Sequence, residues 1–326
     1  MPHTMNTSIP EKLPARYVVI DEARAGQRID NFLLAILKGI PRTHIYKLLR
    51  GGEVRVNKKR IAPAYRLALG DSVRIPPLHA VNAPTPITTV SESLTTLIES
   101  RILLETDELL VLNKPSGMAV HGGSGVRYGV IEALRALRPN ERSLELAHRL
   151  DRETSGCLLI AKSRAMLVQL HQLLRDNEVK KTYLALVHGR WPRRLNRVDA
   201  PLQKNELSSG ERFVRVREDG KESLTTFNVR QYYQEATLVE AHPFTGRTHQ
   251  IRVHAAHAGH PILQDDKYGD ASANVKAREL GLRRLFLHAA RIQFMLPSCD
   301  ERTVVEAPLD SELQAFLETL SAKKGD

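Results

Sequence analysis

The chain has 326 residues, 42% of them hydrophobic, with a formal net charge of +11 and a pI near 9.7. That length accommodates about two domains with real cores, and such basicity points to a polyanion, nucleic acid or an acidic membrane face. No apolar run reaches the roughly 18 residues of a membrane span, and Cys157 and Cys299 form no CxxC pair, which argues against a disulfide scaffold or thiolate zinc site.

Residues 1–16 lack the apolar stretch of a signal peptide and read as a flexible leader. Residues 17–77 form a first unit. Ile29, Phe32, Leu33, Ile36 and Leu37 follow helical spacing, as do Ile45, Leu48 and Leu49, and Gly51-Gly52 ends the second helix. Val54 and Val56 then alternate with Arg55 and Asn57, as in a strand. Between Arg24 and Arg74 stand twelve Lys or Arg against three acids, a net +9. Two short helices and a ribbon with that excess make a surface that can track phosphates.

Residues 78–93 are rich in Pro, Ser and Thr, lack periodicity, and read as a linker. The remainder, 94–326, forms a second unit with more strands than helices. Strand candidates are Leu109–Leu112, Leu144–Ala147, Cys157–Ala161, Tyr183–Val187 and Leu285–Phe294. Ala165–Leu174 has helical spacing, and Ser311 with Gln314 resembles a capping box opening a last helix. Without strict βαβ alternation, the expected class is α+β with a largely antiparallel sheet.

Three strings carry candidate chemistry. His148-Arg149-Leu150-Asp151-Arg152-Glu153-Thr154-Ser155-Gly156 lies between two strand candidates and sets an acid, Asp151, between Arg149 and Arg152. Nearby guanidinium charge keeps a carboxylate ionised, as a nucleophile or base requires. The other strings are Gly246-Arg247-Thr248-His249-Gln250-Ile251-Arg252-Val253-His254 and Leu112-Asn113-Lys114-Pro115-Ser116-Gly117. A kinase reading of His148–Asp151 fails for want of a following DFG or APE, and Ser155 lies outside a nucleophile elbow. His249, His254, His257 and His260 lack HExxH or carboxylates at ligand spacing, so structural or RNA-contacting roles are expected of them.

GQRIDNFL, IYKLLRGGEVRVNKKRI and GDSVRIP together resemble an S4 RNA-binding domain, and RLDRETSG, GRTHQIRVH and LNKPSG together resemble the RluA-type family of pseudouridine synthases. The likeness covers roughly residues 24 to 310, and the S4 unit in front points to the ribosomal large-subunit branch. It implies a small α/β S4 domain followed by a mixed, largely antiparallel catalytic domain. The implied reaction is isomerisation of uridine to pseudouridine in 23S ribosomal RNA or its large-subunit precursor, needing neither cofactor nor metal; the cysteine usage suits a cytoplasmic protein, and a monomer is the default expectation. The family's aspartate falls on Asp151, its active-site tyrosine on Tyr183, its arginine partner on Arg252, and the arginine that fills the gap left by the extruded base on Arg149. RNA contacts are expected from Lys114 and Arg247, and from Arg42, Lys47, Arg50, Arg55, Lys58, Lys59 and Arg60 in the S4 unit. The alternatives are an RNA-binding or ribosome-assembly protein without catalysis, and a sister synthase with other target uridines or acting on tRNA.

Overall fold

The structure, a computed structural model, describes residues 12–22, 24–37, 40–79, 91–122, 128–141, 143–206, 212–297 and 299–322. The chain divides into two compact units, 1–90 and 91–326. The first runs β1 (Lys12–Leu13), β2 (Arg16–Val19), α1 (Ile29–Ile36), α2 (Arg42–Gly51), β3 (Arg55–Val56), β4 (Lys59–Arg60), β5 (Ser72–Ile75) and β6 (Leu78–His79). Strands β2-β5-β3-β4 form one sheet, and β1 pairs with β6.

The core of this unit gathers Ile29, Phe32, Leu33, Ile45, Leu48 and Leu49 from the helices with Val54, Val56 and Val73 from the ribbon. Each such side chain contributes roughly 1.5–3 kcal/mol by leaving water. Helix α2 ends where the spacing predicts, at Gly52, whose φ of 72° is the left-handed cap. Asn57 and Lys58, both at positive φ, make the two-residue turn between β3 and β4. Arg55, Lys58, Lys59 and Arg60 are therefore exposed on one hairpin, and Lys47 and Arg50 are exposed on α2.

Part of the expected leader is strand: β1 and the first residue of β2 lie within 1–16. Pairs this short leave no periodicity to read. The expected linker likewise gives β6 at one end, while Ser91 at the other caps a helix by accepting from the Leu94 amide at 3.3 Å. Residues 80–90 of that linker lie outside the described residues, as do 1–11 of the leader.

The second unit runs α3 (Glu92–Glu99), β7 (Ile102–Glu105), β8 (Leu109–Lys114), α4 (Val130–Leu137), β9 (Glu145–Leu146), β10 (Ser155–Ala161), α5 (Arg164–Arg175), β11 (Lys180–His188), β12 (Arg197–Asp199), β13 (Leu202–Glu206), β14 (Arg212–Val216), β15 (Leu224–Tyr232), β16 (Ala236–Pro243), α6 (Gln250–His257), α7 (Ala271–Glu279), β17 (Leu287–Met295), β18 (Arg302–Glu306) and α8 (Ser311–Ala322). Its main sheet is ordered β12-β15-β16-β11-β17-β10-β8-β7, with β18 on β17 and β9 on β10. The architecture is α+β and the sheet largely antiparallel.

The exception to antiparallel pairing is β10 on β17, where Ser155 pairs with His288 and Gly156 with Ala289. Gly156 sits at φ +105°, and a Cβ there would lie 2.3 Å from the Ala289 carbonyl oxygen. Only glycine lets the two strands approach this closely. The sheet therefore joins the loop before β10 to the centre of the domain. At the far end, the capping box expected at Ser311 is displaced by one residue. Asp310 accepts from the Leu313 amide at 3.1 Å, and Ser311 is already helical. A carboxylate at that position also suits the positive end of the helix dipole.

Candidate active site

The loop between β9 and β10 carries Asp151, and its neighbours hold it by backbone and side chain alike. His148 accepts the Leu159 amide on Nε2 at 3.1 Å, which makes its neutral ring a peg into β10. Lys114, at the end of β8, donates to the carbonyls of Pro115, Met118 and Arg152 at 2.8, 2.7 and 3.0 Å. Ser116 donates to the Glu153 carbonyl at 2.8 Å, and Arg152 to the Gly117 carbonyl at 2.9 Å. Below the loop, the Ser155 hydroxyl meets His288 at 2.8 Å and Arg284 at 2.7 Å. The Leu112–Gly117 string is thus the cradle of the Asp151 loop.

Two sequence expectations are corrected here. Lys114 is not an RNA contact: it is 0% exposed and all three ammonium protons are spent on carbonyls. Burial, offset in part by the Glu153 charge, pushes its pKa down to about 7. Three acceptors within 3.0 Å favour the ammonium, since a neutral amine has only two protons to give. Arg152 forms no ion pair with Asp151 either; its guanidinium turns to Gly117 and Glu153. Cys157 fits the expectation of an apolar-behaving residue, buried against the Val305 carbonyl with its thiol pushed up to about 12 by that burial.

The groups facing Asp151 come from α6 and its N-terminus. Arg252 Nη1 lies 3.8 Å from Oδ2, and His249 Nε2 lies 3.8 Å from Oδ1. Arg252 is itself gripped by Asp265, which accepts from Nε and Nη2 at 2.7 Å each and is 0% exposed. The tyrosine ring of Tyr268 lies 5.1 Å from the guanidinium. Burial opposes the arginine's charge, but Asp265 outweighs it and raises the Arg252 pKa. Asp151 therefore faces a cation that cannot turn away.

His249 was legible as part of a string but not as a neighbour of Asp151. It occupies the left-handed region at φ 54°, strained for a side chain of its kind. Its Nδ1 lies 2.8 Å from the Tyr268 hydroxyl, which already accepts the Val214 amide at 3.0 Å. A phenol proton donated to Nδ1 would leave Nε2 carrying hydrogen and facing Asp151. Burial holds the ring below its ordinary value. Gln250 and His254 fix the helix to the sheet, through Leu224 and Thr225 for the one and Thr225 and the Ala200 carbonyl for the other.

These groups line a cleft of about 480 Å³ that also includes Arg149, Tyr183 and Arg247. Arg149 and Arg247 are exposed, whereas Tyr183 is buried on β11. Burial, then the Asp151 charge, pushes the Tyr183 phenol upward. It is a neutral phenol near pH 7 and offers the cleft a ring surface and a hydrogen-bond donor. Lys47, Arg50, Arg55, Lys58, Lys59 and Arg60 all belong to the first unit, and the side chain of Arg42 lies outside the described residues.

The buried histidines bring a pH dependence. His148, His249, His254 and His288 all have pKa values lowered, with burial as the leading cause in each. A folded value below the unfolded 6.5 gives stability that is present above that pH and lost as pH falls through it. For His148, pushed down to about 4, the loss at pH 5.5 is roughly 1.4 kcal/mol. The urea midpoint is expected to drop clearly between pH 7.5 and 5.5; an unchanged midpoint would show that these rings titrate freely.

A family model described as RNA pseudouridylate synthase matches residues 108–257, and an S4 domain model matches residues 27–73. The chain is 55% identical over 324 residues to ribosomal large subunit pseudouridine synthase C of Pasteurella multocida, covering 98% of this chain and 99% of that one. The Escherichia coli protein of the same name is 52% identical over 318 residues, covering 97% and 99%. Among solved structures, human RNA pseudouridylate synthase domain containing 4 superposes with a TM-score of 0.58 at 28% identity, covering 70% of this chain and 96% of that one.

Proposed function

The chain belongs to the RNA pseudouridylate synthase family, and from that premise we propose that it isomerises uridines of 23S ribosomal RNA, or of its large-subunit precursor, with Asp151 as the reacting carboxylate. The observation that carries this reading is Asp151 on the cleft wall, 19% exposed and facing an arginine that Asp265 immobilises. A carboxylate so placed is aimed into the cleft, with the arginine at 3.8 Å rather than in a short hydrogen bond.

A stacked uridine offers neither C1′ nor C6, so the nucleotide must leave the stack at a cost of a few kcal/mol. Arg149, exposed at the cleft, takes the vacated space and offsets part of that cost by stacking and phosphate contact. Asp151 then attacks C1′ or removes a proton to give a glycal; either way the C1′–N1 bond breaks and its electron pair leaves with uracil. The base turns against the ring of Tyr183 and C5 bonds to C1′, which frees Asp151 from the sugar or draws the C2′ proton back from it; N1, which kept the electron pair of the broken bond, takes up a proton, and the C5 proton leaves. Because the Tyr183 phenol stays protonated, Asp151, released from the sugar, is the carboxylate in the same cleft that can take that proton. Substrate and product are isomers, so no net oxidant or reductant is called for.

The S4 unit holds RNA through Lys47, Arg50, Arg55, Lys58, Lys59 and Arg60, while Arg247 contacts it at the cleft. The enzyme works as a single chain in the cytoplasm, where a buried and an exposed free cysteine both remain reduced. Among the described residues, no helix is long and apolar enough to cross a membrane. The test uses large-subunit rRNA transcribed with tritium at uridine C5, because that hydrogen is released only when C5 becomes the attachment carbon. Label is expected to appear in water, and to keep appearing after EDTA treatment once the RNA is folded. No release, or release restored by a divalent ion with RNA folding controlled, contradicts the proposal.

A further inference from the structure

The connection between β11 and β12 reads Arg190-Trp191-Pro192-Arg193-Arg194-Leu195-Asn196-Arg197, and its four arginines are exposed. It belongs to none of the strings that build the cleft, yet it is firmly built. Trp191 is 1% exposed, packs 4.6 Å from Phe227, and donates from its indole to the Leu195 carbonyl at 2.8 Å. Its amide donates to Thr237 at 3.0 Å, and the Tyr232 hydroxyl donates to its carbonyl at 3.0 Å. The turn therefore spends a buried tryptophan and a tyrosine on fixing a short, charged segment.

The tyrosine ring does a second task. The Arg190 guanidinium lies 4.2 Å from its centroid and that of Arg193 lies 5.6 Å from it. Two like charges held on one ring repel each other, a cost that a bound anion would remove. The acids of the surrounding strands are already taken: Asp199 by Arg197, Glu240 by Arg230, and Glu235 by Lys276. Among the described residues, no carboxylate comes within ion-pair distance of Arg190, Arg193 or Arg194. This leaves three uncompensated guanidiniums, two of them mounted on the Tyr232 ring.

Their position is remote from the chemistry. Tyr183 pairs with Ala241 at one end of β11, and His188 pairs with Ala236 at the other. Arg190 stands seven residues beyond Tyr183, so the turn lies roughly 20 Å from the cleft along the strand. We propose that this arginine turn is a second docking surface for the RNA substrate, gripping phosphates of a segment well away from the reacting uridine. The inference rests on the RNA-isomerase reading above. Planar guanidiniums presented side by side suit phosphate oxygens, and the gain comes through counterion release.

The full-length protein carrying Arg190→Gln, Arg193→Gln and Arg194→Gln tests this, with Arg→Lys at the same positions as the charge-preserving variant. Affinity for a large-subunit rRNA transcript is measured from 50 to 200 mM salt, and tritium release is measured at saturating RNA. The Gln variant is expected to bind more than about tenfold more weakly at the lower salt. Its plot of log affinity against log salt should be shallower by about two to three units, one per lost contact. Turnover at saturating RNA should stay within about twofold, and the Lys variant should keep the wild-type slope. A slope within half a unit of wild type overturns the docking surface, whether or not the turn proves to bind an acidic protein instead. Wild-type protein that binds RNA with a steep slope but releases no tritium refutes the isomerase reading and leaves the slope comparison to decide the surface.

Discussion

Asp151→Asn is expected to lower pseudouridine formation at least a thousandfold while RNA affinity stays within about tenfold. Asparagine keeps the shape of the side chain and the loop that carries it. That loop is held by His148, Lys114, Ser116 and Arg152 rather than by the carboxylate itself. What disappears is the negative charge at the cleft, and with it both routes to breaking the glycosidic bond. On the proposed reading RNA is held by arginines and lysines elsewhere, so affinity should change little, or tighten slightly as an acid leaves a basic surface. A variant keeping more than about a tenth of wild-type turnover would end the assignment of Asp151 as the reacting group.

Asp265→Ala is expected to cost about 3–5 kcal/mol of stability, because it strands the buried Arg252 guanidinium without its anion. Asp265 also accepts the amides of Lys267 and Tyr268 at 3.0 Å each, so the turn after α6 would loosen with it. The milder Asp265→Asn keeps a carbonyl oxygen for Arg252 and separates structure from catalysis. It should fold, melt a few degrees lower, and turn over about a hundredfold more slowly, with the loss in kcat more than in KM. The reason is geometric: without the two bonds of 2.7 Å, Arg252 swings to pair fully with Asp151 and quenches it. Wild-type kcat in a folded Asp265→Asn protein would show that Arg252 needs no anchor.

How legible these features were depended on whether their causes were local. The two S4 helices, the glycine stop at Gly52 and the alternation at Val54 and Val56 follow from spacing within a few residues. The Asp151 loop was legible for the same reason, since it sits between two apolar strands. Asp265 was not, because it lies thirteen residues beyond Arg252 in a stretch with no periodicity, and only the turn after α6 brings the two together. Lys114 misled because a lysine beside Pro-Ser-Gly looks like surface, whereas two carbonyls of its own loop and one of the Asp151 loop make its burial tolerable. Arg152 misled in the opposite way: adjacency in sequence to an acid says nothing of where a long side chain turns. The parallel pairing of β10 with β17 joins residues more than a hundred positions apart, and only the demand for glycine at position 156 hinted at it.

The central claim is that this chain makes pseudouridine in large-subunit rRNA through Asp151. It is tested most directly by mapping pseudouridines in rRNA from a strain lacking the gene, before and after incubation with purified protein. The account predicts that one or more large-subunit positions are unmodified in that strain, that wild-type protein restores them, and that Asp151→Asn does not. An unchanged map in the deletion strain, or full restoration by Asp151→Asn, would contradict it.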